Sequence, residues 1–209
     1  MEFTSTLADY IEARISEFDE ISPSRVAELA ALTAWLNRQQ ASQSPTALNF
    51  ICTHNSRRSH LAQIWAGVAA QHFGKKDVAT FSGGTEATAF HPNAVAAIKR
   101  CGFDVTTEPN PAVSPTDNPI YVVRTSPNNS PWRCFSKVYD QPPNPTADFA
   151  AVMVCDSANA ACPVVRGASL KIALPYVDPK ISDGTDSESA TYDERCRQIA
   201  REMLFAFAK

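Results

Sequence analysis

Residues 52–60 read Cys52-Thr53-His54-Asn55-Ser56-Arg57-Arg58-Ser59-His60. They follow a short apolar run that ends at Cys52, and they lead into a segment with helical periodicity. A short apolar run bounded by turn-forming residues is typical of a buried strand. Where a strand passes through a loop into a helix, successive backbone N–H groups and the helix N-terminus face a bound anion. The sequence therefore predicts a loop that wraps a tetrahedral oxyanion.

Cys52 is the predicted nucleophile of this loop. Arg58 follows it after five intervening residues and is expected to close the ring around the anion with a bidentate fork. The positive surroundings stabilise a thiolate, and Ser59 is placed to donate to its sulfur. The predicted oxyanion-binding residues are Thr53, His54, Asn55, Ser56, Arg57 and Ser59. The spacing of Cys52 and Arg58 is by itself weak evidence for such a loop. The prediction rests also on the preceding strand, the following helix, the hydroxyl side chains and an asparagine that tolerates left-handed backbone.

Strand and helix patterns alternate on either side of this loop, which predicts an α/β fold. Because such alternation favours a parallel sheet, we expect four strands with helices on both faces. The predicted strands cover residues 47–52, 78–82, 149–155 and 169–174, and the predicted helices cover 58–73, 91–101 and 188–208.

Two regions lie outside this alternation. Residues 1–45 carry apolar residues at helical spacing, with a helix start at Ser22-Pro23, and are predicted to be a helical extension of a domain over 46–209. Residues 109–145 hold 9 of the 15 prolines, which interrupts the pattern. Apolar runs at 120–123 and 134–139 flank a turn-rich segment there, so we interpret the region as an inserted β-hairpin with loops.

Composition and charge narrow the classes of partner. The formal net charge of -3 gives no broad positive surface for nucleic acid. No run approaches the roughly 18 apolar residues that cross a bilayer, so no membrane association is expected. Because the N-terminus lacks a basic start and an apolar core, a cytoplasmic location is expected. The six cysteines are then expected to be thiols and not structural disulfides.

Cys155 and Cys162 form a second candidate element after the apolar run at 150–154. If the residues between them are helical, about 10.5 Å of rise separates the two cysteines, too far for a disulfide whose Cα atoms lie within about 7 Å. A bridge therefore requires this segment to unwind, as a redox switch does. Two packed, unreactive thiols are an equal alternative, and the six-residue gap does not favour zinc or any other metal.

Asp178 is the third candidate, in an Asp-Pro loop after the strand at 169–174. The carboxyl ends of parallel strands and the predicted anion loop lie on the same side of the sheet, where ligands of such folds bind. Asp178 is therefore placed to act as a general acid. An ordinary Asp-Pro turn is the alternative interpretation, and Asp183 or Asp186 competes for the same role.

Together the three elements resemble the low-molecular-weight phosphotyrosine phosphatase superfamily, and more closely its thioredoxin-coupled arsenate reductases. That branch carries a Cys-Thr-Gly-Asn-Ser-Cys-Arg-Ser loop, a later Cys-x6-Cys-Pro segment and a loop Asp-Pro. These fall on Cys52–Ser59, Cys155–Pro163 and Asp178-Pro179. The chain departs from the pattern at His54, which replaces the loop glycine, and at Arg57, which replaces the second loop cysteine.

The resemblance implies a phosphatase-type four-stranded sheet and a thiol relay without a bound cofactor. In that relay Cys52 attacks arsenate, Asp178 protonates the leaving oxygen, Cys155 releases arsenite, and Cys162 leaves a disulfide that thioredoxin reduces. Some phosphatase activity is expected beside it. A phosphatase acting through a phosphocysteine at Cys52 is the alternative enzyme, and a non-enzymatic anion-binding or partner-docking module is the third hypothesis. No role is assigned to the remaining cysteines, Cys101, Cys134 and Cys196. Cys196 is expected to pack in the last helix.

Overall fold

The computed structural model describes residues 3–111, 117–162 and 164–209. Seven strands are found there, in chain order β1 (Thr46–Cys52), β2 (Val78–Gly84), β3 (Asp104–Glu108), β4 (Ile120–Arg124), β5 (Trp132–Cys134), β6 (Phe149–Met153) and β7 (Ala168–Ala173). The helices are α1 (Ser5–Ile15), α2 (Pro23–Ala41), α3 (Arg58–His72), α4 (Pro92–Arg100), α5 (Asp156–Ala161) and α6 (Glu188–Ala208). Two 3₁₀ turns are also present, Phe18–Glu20 and Pro179–Ser182.

The central sheet confirms the predicted four parallel strands, in the order β2-β1-β6-β7, flanked by helices. The two central strands, β1 and β6, are mostly apolar and almost fully buried because neighbouring strands and helices cover them, whereas the edge strand β7 is partly exposed. In the register, Cys52 pairs with Gly84, and Ile51 pairs with Met153. The carboxyl ends of β1, β2 and β6 therefore meet at one edge, where ligands of parallel sheets bind.

The helices predicted in the N-terminal region are confirmed. Ser22 caps α2 by accepting from the backbone N–H of Arg25, and Pro23 occupies the first turn. Apolar side chains of both α1 and α2 are buried in the same core as the central sheet, among them Leu7, Ile11, Leu29 and Leu32. The division into an extension over 1–45 and a domain over 46–209 stays a prediction.

The predicted inserted β-hairpin is present as the antiparallel pair β4 and β5, but the region differs from the prediction in two ways. Strand β4 matches the predicted strand at 120–123. Its antiparallel partner is β5, which ends at Cys134, so the prediction of a strand over 134–139 was wrong. Residues 137–139 instead run along the end of β2, where Val138 forms a bridge with Gly84. Strand β3, which the sequence pattern did not indicate, pairs with the other side of β4. The predicted insert also includes residues 112–116, which lie outside the described residues.

Helices of membrane-spanning length and hydropathy are not found in the described part of the chain. Its longest helix, α6, carries many charged residues and packs along α3, α4 and both N-terminal helices. Arginines of α6 form ion pairs with the segment between α1 and α2, including Arg197 with Glu17 and Arg201 with Glu20. The N-terminal helices are thus attached to α6 by packing and by charge.

Candidate functional site

The predicted anion loop occupies the five residues between β1 and α3. Its backbone turns at Asn55, which has a φ of 44°, in the left-handed region that asparagine tolerates better than most residues. The fully buried Asn55 side chain donates from Nδ2 to Ser59 Oγ at 2.8 Å and accepts the backbone N–H of Lys137 at Oδ1 at 3.0 Å. The side chain of Asn55 thus shapes the loop instead of facing its centre.

Cys52 lies at the end of β1 with its thiol buried, and its Sγ is 3.1 Å from Ser59 Oγ. The Ser59 oxygen accepts the amide proton of Asn55, so its own hydroxyl hydrogen is available for the sulfur. The Cys52 sulfur thus contacts a hydroxyl donor and lies at the loop that leads into the N-terminus of the 15-residue helix α3. The geometry therefore suits the nucleophilic role that the sequence predicts for Cys52.

Arg58, the first residue of α3, connects the loop to the predicted acid. Its Nη2 donates to Asp178 Oδ2 at 2.6 Å, and its Nη1 donates to the backbone carbonyl of Tyr176 at 2.9 Å. Within the described residues, the buried Arg58 Nε has no hydrogen-bond partner. About a third of the Asp178 side chain is exposed, and its Oδ1 caps the 3₁₀ turn by accepting the Lys180 N–H. The structure thus brings Arg58 and Asp178 together.

Arg57 makes contacts that the sequence did not indicate. Its Nε donates to the Tyr192 hydroxyl at 2.6 Å, and its Nη2 donates to Asp183 Oδ2 at 3.0 Å. Tyr192 in turn donates to Asp183 Oδ1 at 2.8 Å, which closes a three-residue cluster. Burial raises the pKa of Tyr192 to about 12, so the phenol stays protonated and remains a donor. Asp183 is the alternative to Asp178 for the acid role. It therefore faces Arg57 and not Arg58.

His54 and Ser56 complete the loop. The His54 ring is about half exposed, and its Nε2 lies 2.9 Å from Glu86 Oε1, so it faces solvent beside the end of β2. The carbonyl of His54 accepts hydrogen bonds from Thr88 and Ser136, and that of Ser56 accepts the His91 N–H. These loop carbonyls point to the surrounding protein, which is consistent with a loop whose N–H groups face inward.

The insert supports the loop from outside. Besides the bond from Lys137 to Asn55, Ser136 Oγ donates to the His54 carbonyl at 2.9 Å. Backbone bonds join Gly84 to Lys137 and Tyr139, each at 2.9 Å. Gly83 permits this approach, because a Cβ there would overlap the Tyr139 Cα, and Gly84 lets the end of β2 lie against the loop, because its Cβ would be 2.6 Å from the Thr53 carbonyl oxygen. No local sequence pattern signals this support, since it depends on pairing between distant segments.

Lys137 is also an unusual buried charge. Its side chain is 6% exposed, and its Nζ donates to the Phe135 carbonyl at 3.3 Å and lies over the Phe135 ring. Burial lowers the pKa of Lys137 to about 8. In an unfolded chain the lysine pKa is about 10.4. Between these values the unfolded chain binds more protons, so raising the pH through this range stabilises the folded state.

We expect the substitution Lys137→Met to remove this pH dependence. At about pH 7 the variant should be more stable than the unaltered protein, because it does not bury a charge. This difference in the free energy of unfolding should shrink by about 3 kcal/mol between about pH 7 and about pH 10.5, because the lysine is then neutral in both the folded and the unfolded chain. Urea unfolding at both pH values measures the difference. The exposed Lys76→Met is the matched control and should show no such change. A constant difference for Lys137→Met would contradict the assignment.

Cys155 and Cys162 stand at opposite ends of α5, so the residues between them are helical. Cys155 caps the helix: its Sγ accepts the Ala158 N–H at 3.4 Å. The same sulfur lies 3.5 Å from Thr53 Oγ1, one residue from Cys52. Both thiols are free, Cys155 is buried, and Cys162 is half-buried. A Cys155–Cys162 bridge therefore requires α5 to unwind; Pro163, which ends the predicted motif, lies outside the described residues.

Comparison with known proteins bears on this arrangement. No protein-family model matches the chain. The arsenate reductase of Bacillus licheniformis is 26% identical over 166 residues, which cover 79% of this chain and 97% of that protein. The arsenate reductase of Bacillus subtilis strain 168 is 28% identical over 160 residues, which cover 77% of this chain and 93% of that protein. These relatives confirm the resemblance to arsenate reductases.

Solved structures similar to the chain include a low-molecular-weight phosphotyrosine phosphatase from Vibrio cholerae O395, with a TM-score of 0.48 and 14% identity. That match covers 78% of this chain and 94% of the other. An arsenate reductase from Archaeoglobus fulgidus DSM 4304 has a TM-score of 0.48 and 16% identity, with 78% of this chain and 99% of the other covered.

Proposed function

We propose that this protein is an arsenate reductase that converts arsenate to arsenite through Cys52, Cys155 and Cys162, with thioredoxin as the electron donor. The observation that carries the proposal is the position of Cys155. It follows β6, the strand next to β1, and its sulfur lies 3.5 Å from the hydroxyl of Thr53, the first residue of the anion loop. The similarity of the chain to bacterial arsenate reductases supports the same assignment.

Arsenate is expected to bind in the loop at the N-terminus of α3. The backbone N–H groups of such a loop and the helix dipole are expected to favour a tetrahedral anion there, and the unpartnered Arg58 Nε supplies a further donor. The Arg58 guanidinium is paired with Asp178 in the structure. We infer that a bound anion competes with Asp178 for this guanidinium, which frees the carboxyl group to take up a proton and act as an acid.

The relay then proceeds in three displacements. The Cys52 thiolate attacks arsenic, and a hydroxyl leaves as water with a proton from Asp178. Cys155 attacks Cys52 Sγ; a disulfide forms, the sulfur–arsenic bond breaks, and its electron pair stays on arsenic, which leaves as arsenite. Cys162 attacks Cys155 Sγ, which releases Cys52 as a thiolate. Reduction of the Cys155–Cys162 disulfide by the dithiol of thioredoxin restores the starting state.

A phosphatase is the second candidate function. The loop, Arg58 and Asp178 form a complete set for hydrolysis of a phosphomonoester through a phosphocysteine at Cys52. Phosphate and arsenate share charge and tetrahedral shape, so the loop binds both. Phosphatase activity is therefore expected beside the reductase activity, and the two functions differ in whether Cys155 and Cys162 take part.

The deciding experiment compares two assays of the unaltered protein. One follows arsenate-dependent oxidation of NADPH through thioredoxin and its reductase, and the other follows hydrolysis of para-nitrophenyl phosphate. The proposal requires turnover in the first assay that depends on both arsenate and thioredoxin. Turnover in the second assay alone would establish the phosphatase, and turnover in neither would favour the anion-binding module.

The substitution Asp178→Asn should lower the rate of para-nitrophenyl phosphate hydrolysis by about 10²- to 10⁴-fold, because asparagine accepts the hydrogen bond from Lys180 but has no proton to give. The loss should fall mainly on kcat and remove the requirement for a protonated group from the pH profile. Asp183→Asn is the matched control, since it removes a carboxylate from the same turn that contacts Arg57. A larger loss in the control would transfer the acid role to Asp183.

A further inference from the structure

Two cysteines outside the proposed relay are in contact. Cys101 follows the last residue of α4, Cys196 lies within α6, and their Sγ atoms are 3.6 Å apart. Both side chains are buried, Cys196 completely and Cys101 to all but 4%. Neither residue has a chemical role predicted from sequence, although the expectation that Cys196 packs in the last helix is confirmed.

The two thiols differ in their surroundings. The hydrogen bond with Cys196 lowers the pKa of Cys101, and the positive charge of Arg14 acts in the same direction. The same hydrogen bond and complete burial raise the pKa of Cys196. Cys196 is also fixed in place, since Trp65 Nε1 donates to its Sγ at 3.2 Å. Of the two thiols, Cys101 therefore has the lower pKa and is the more readily ionised.

Cys101 is reachable from the surface. It lines a groove of about 450 Å³ between α1, α4 and α6. The walls carry the side chains of Tyr10, Arg14, Arg100, Asp193, Glu194 and Arg197. Because Cys196 does not line this groove, a small oxidant meets Cys101 first. A thiol of lowered pKa at a groove, with a second thiol 3.6 Å from its sulfur, is the arrangement of an oxidisable cysteine and its resolving partner.

We propose that Cys101 and Cys196 form a second, reversible disulfide when the protein meets a hydroperoxide. The Cys101 thiolate attacks the peroxide oxygen, which gives a sulfenic acid and, from hydrogen peroxide, hydroxide that takes up a proton to become water. The Cys196 thiol then attacks the Cys101 sulfur, and a second water leaves as the disulfide forms. The sulfurs must approach from 3.6 Å to about 2.05 Å, which requires a small movement of α4 against α6.

Such a bond would join α6 to the residue that follows α4, and it would be linked to the anion loop through neighbouring residues. Cys196 lies one helical turn after Tyr192, whose hydroxyl accepts from Arg57 Nε. Trp65, the donor to Cys196, belongs to α3, the helix that begins at Arg58. The proposed disulfide does not depend on arsenate reduction, because it uses no residue of the relay.

The test uses the full chain with the substitutions Cys52→Ser, Cys155→Ser and Cys162→Ser, so that no relay thiol remains. After treatment with hydrogen peroxide, the intact mass should fall by two hydrogen atoms, and peptide mapping should show Cys101 linked to Cys196. Cys134 is the internal control, since it is fully buried and burial raises its pKa to about 12. The unaltered chain should yield the same linked peptide.

Two further variants in this background separate the roles of the pair. With Cys196→Ala, Cys101 should accumulate as a sulfenic acid that dimedone traps. With Cys101→Ala, Cys196 should stay a thiol. The proposal is overturned if Cys101 and Cys196 both stay reduced while Cys52 of the unaltered chain is oxidised, if Cys134 is oxidised as fast as Cys101, or if dimedone marks Cys196 instead.

Discussion

Replacement of Cys52 by serine should abolish arsenate reduction and phosphoester hydrolysis together, each by about four orders of magnitude or more. Serine fits the buried site and keeps the contact with Ser59 Oγ, so the loop geometry should be retained. The variant loses its nucleophile, because a serine hydroxyl is a much weaker nucleophile than a cysteine thiol unless a general base activates it. The proposed catalytic residues include no such base. Steady-state rates in both assays measure the loss.

A matched control is Cys134→Ala. Cys134 is as deeply buried as Cys52 but belongs to the three-stranded sheet and has no role in the proposed chemistry. Its variant should retain most of both activities. If Cys52→Ser kept either activity at more than about a hundredth of the original rate, the common nucleophile would have to be sought among the other cysteines.

Replacement of Cys155 by serine should separate the two activities. Arsenate turnover should fall to background, because no second sulfur is present to break the sulfur–arsenic bond, whereas para-nitrophenyl phosphate hydrolysis should stay within about threefold. The phosphatase steps use Cys52, Arg58 and Asp178, and serine still fits the cap of α5. Full thioredoxin-dependent turnover in this variant would refute the relay.

Cys162→Ser gives a sharper result within the same relay. Cys155 can still release arsenite once, but the Cys52–Cys155 disulfide then has no internal thiol to open it. One equivalent of arsenite per chain should therefore form in a single burst, followed by arrest, and Cys155→Ser should form none. Equal bursts from the two variants would contradict the proposed order of the three thiols.

The central sheet and the nucleophile loop could be predicted from sequence because their signals are local. A buried apolar run, an asparagine suited to left-handed backbone and a helix start follow one another within a dozen residues around Cys52. The position of Asp178 on the same side of the sheet as the loop could also be predicted, since parallel strands bring their carboxyl ends to one edge, but its hydrogen bond with Arg58 was not predicted.

The parts that could not be predicted depend on contacts between distant segments. The run at 134–139 has the composition of a strand, yet β5 ends at Cys134, and Val138 forms only an isolated bridge with Gly84. Tyr192 lies in a helix with nothing in its local pattern to connect it with Arg57, 135 positions away. Local periodicity cannot report such partners, because it describes which face of an element is buried and not what covers that face.

The support of the loop by residues 136–139 also bears on how this protein can be altered by engineering. The insert supplies a donor to the His54 carbonyl and another to the Asn55 side chain. Excision of the insert would leave Asn55 Oδ1 without its donor, at a cost of about 1–3 kcal/mol if it stays buried, and would leave the His54 carbonyl with the Thr88 hydroxyl as its donor. The insert is therefore not a detachable module: a shortened chain would need new donors for the loop, and a loop graft would have to carry this segment with it.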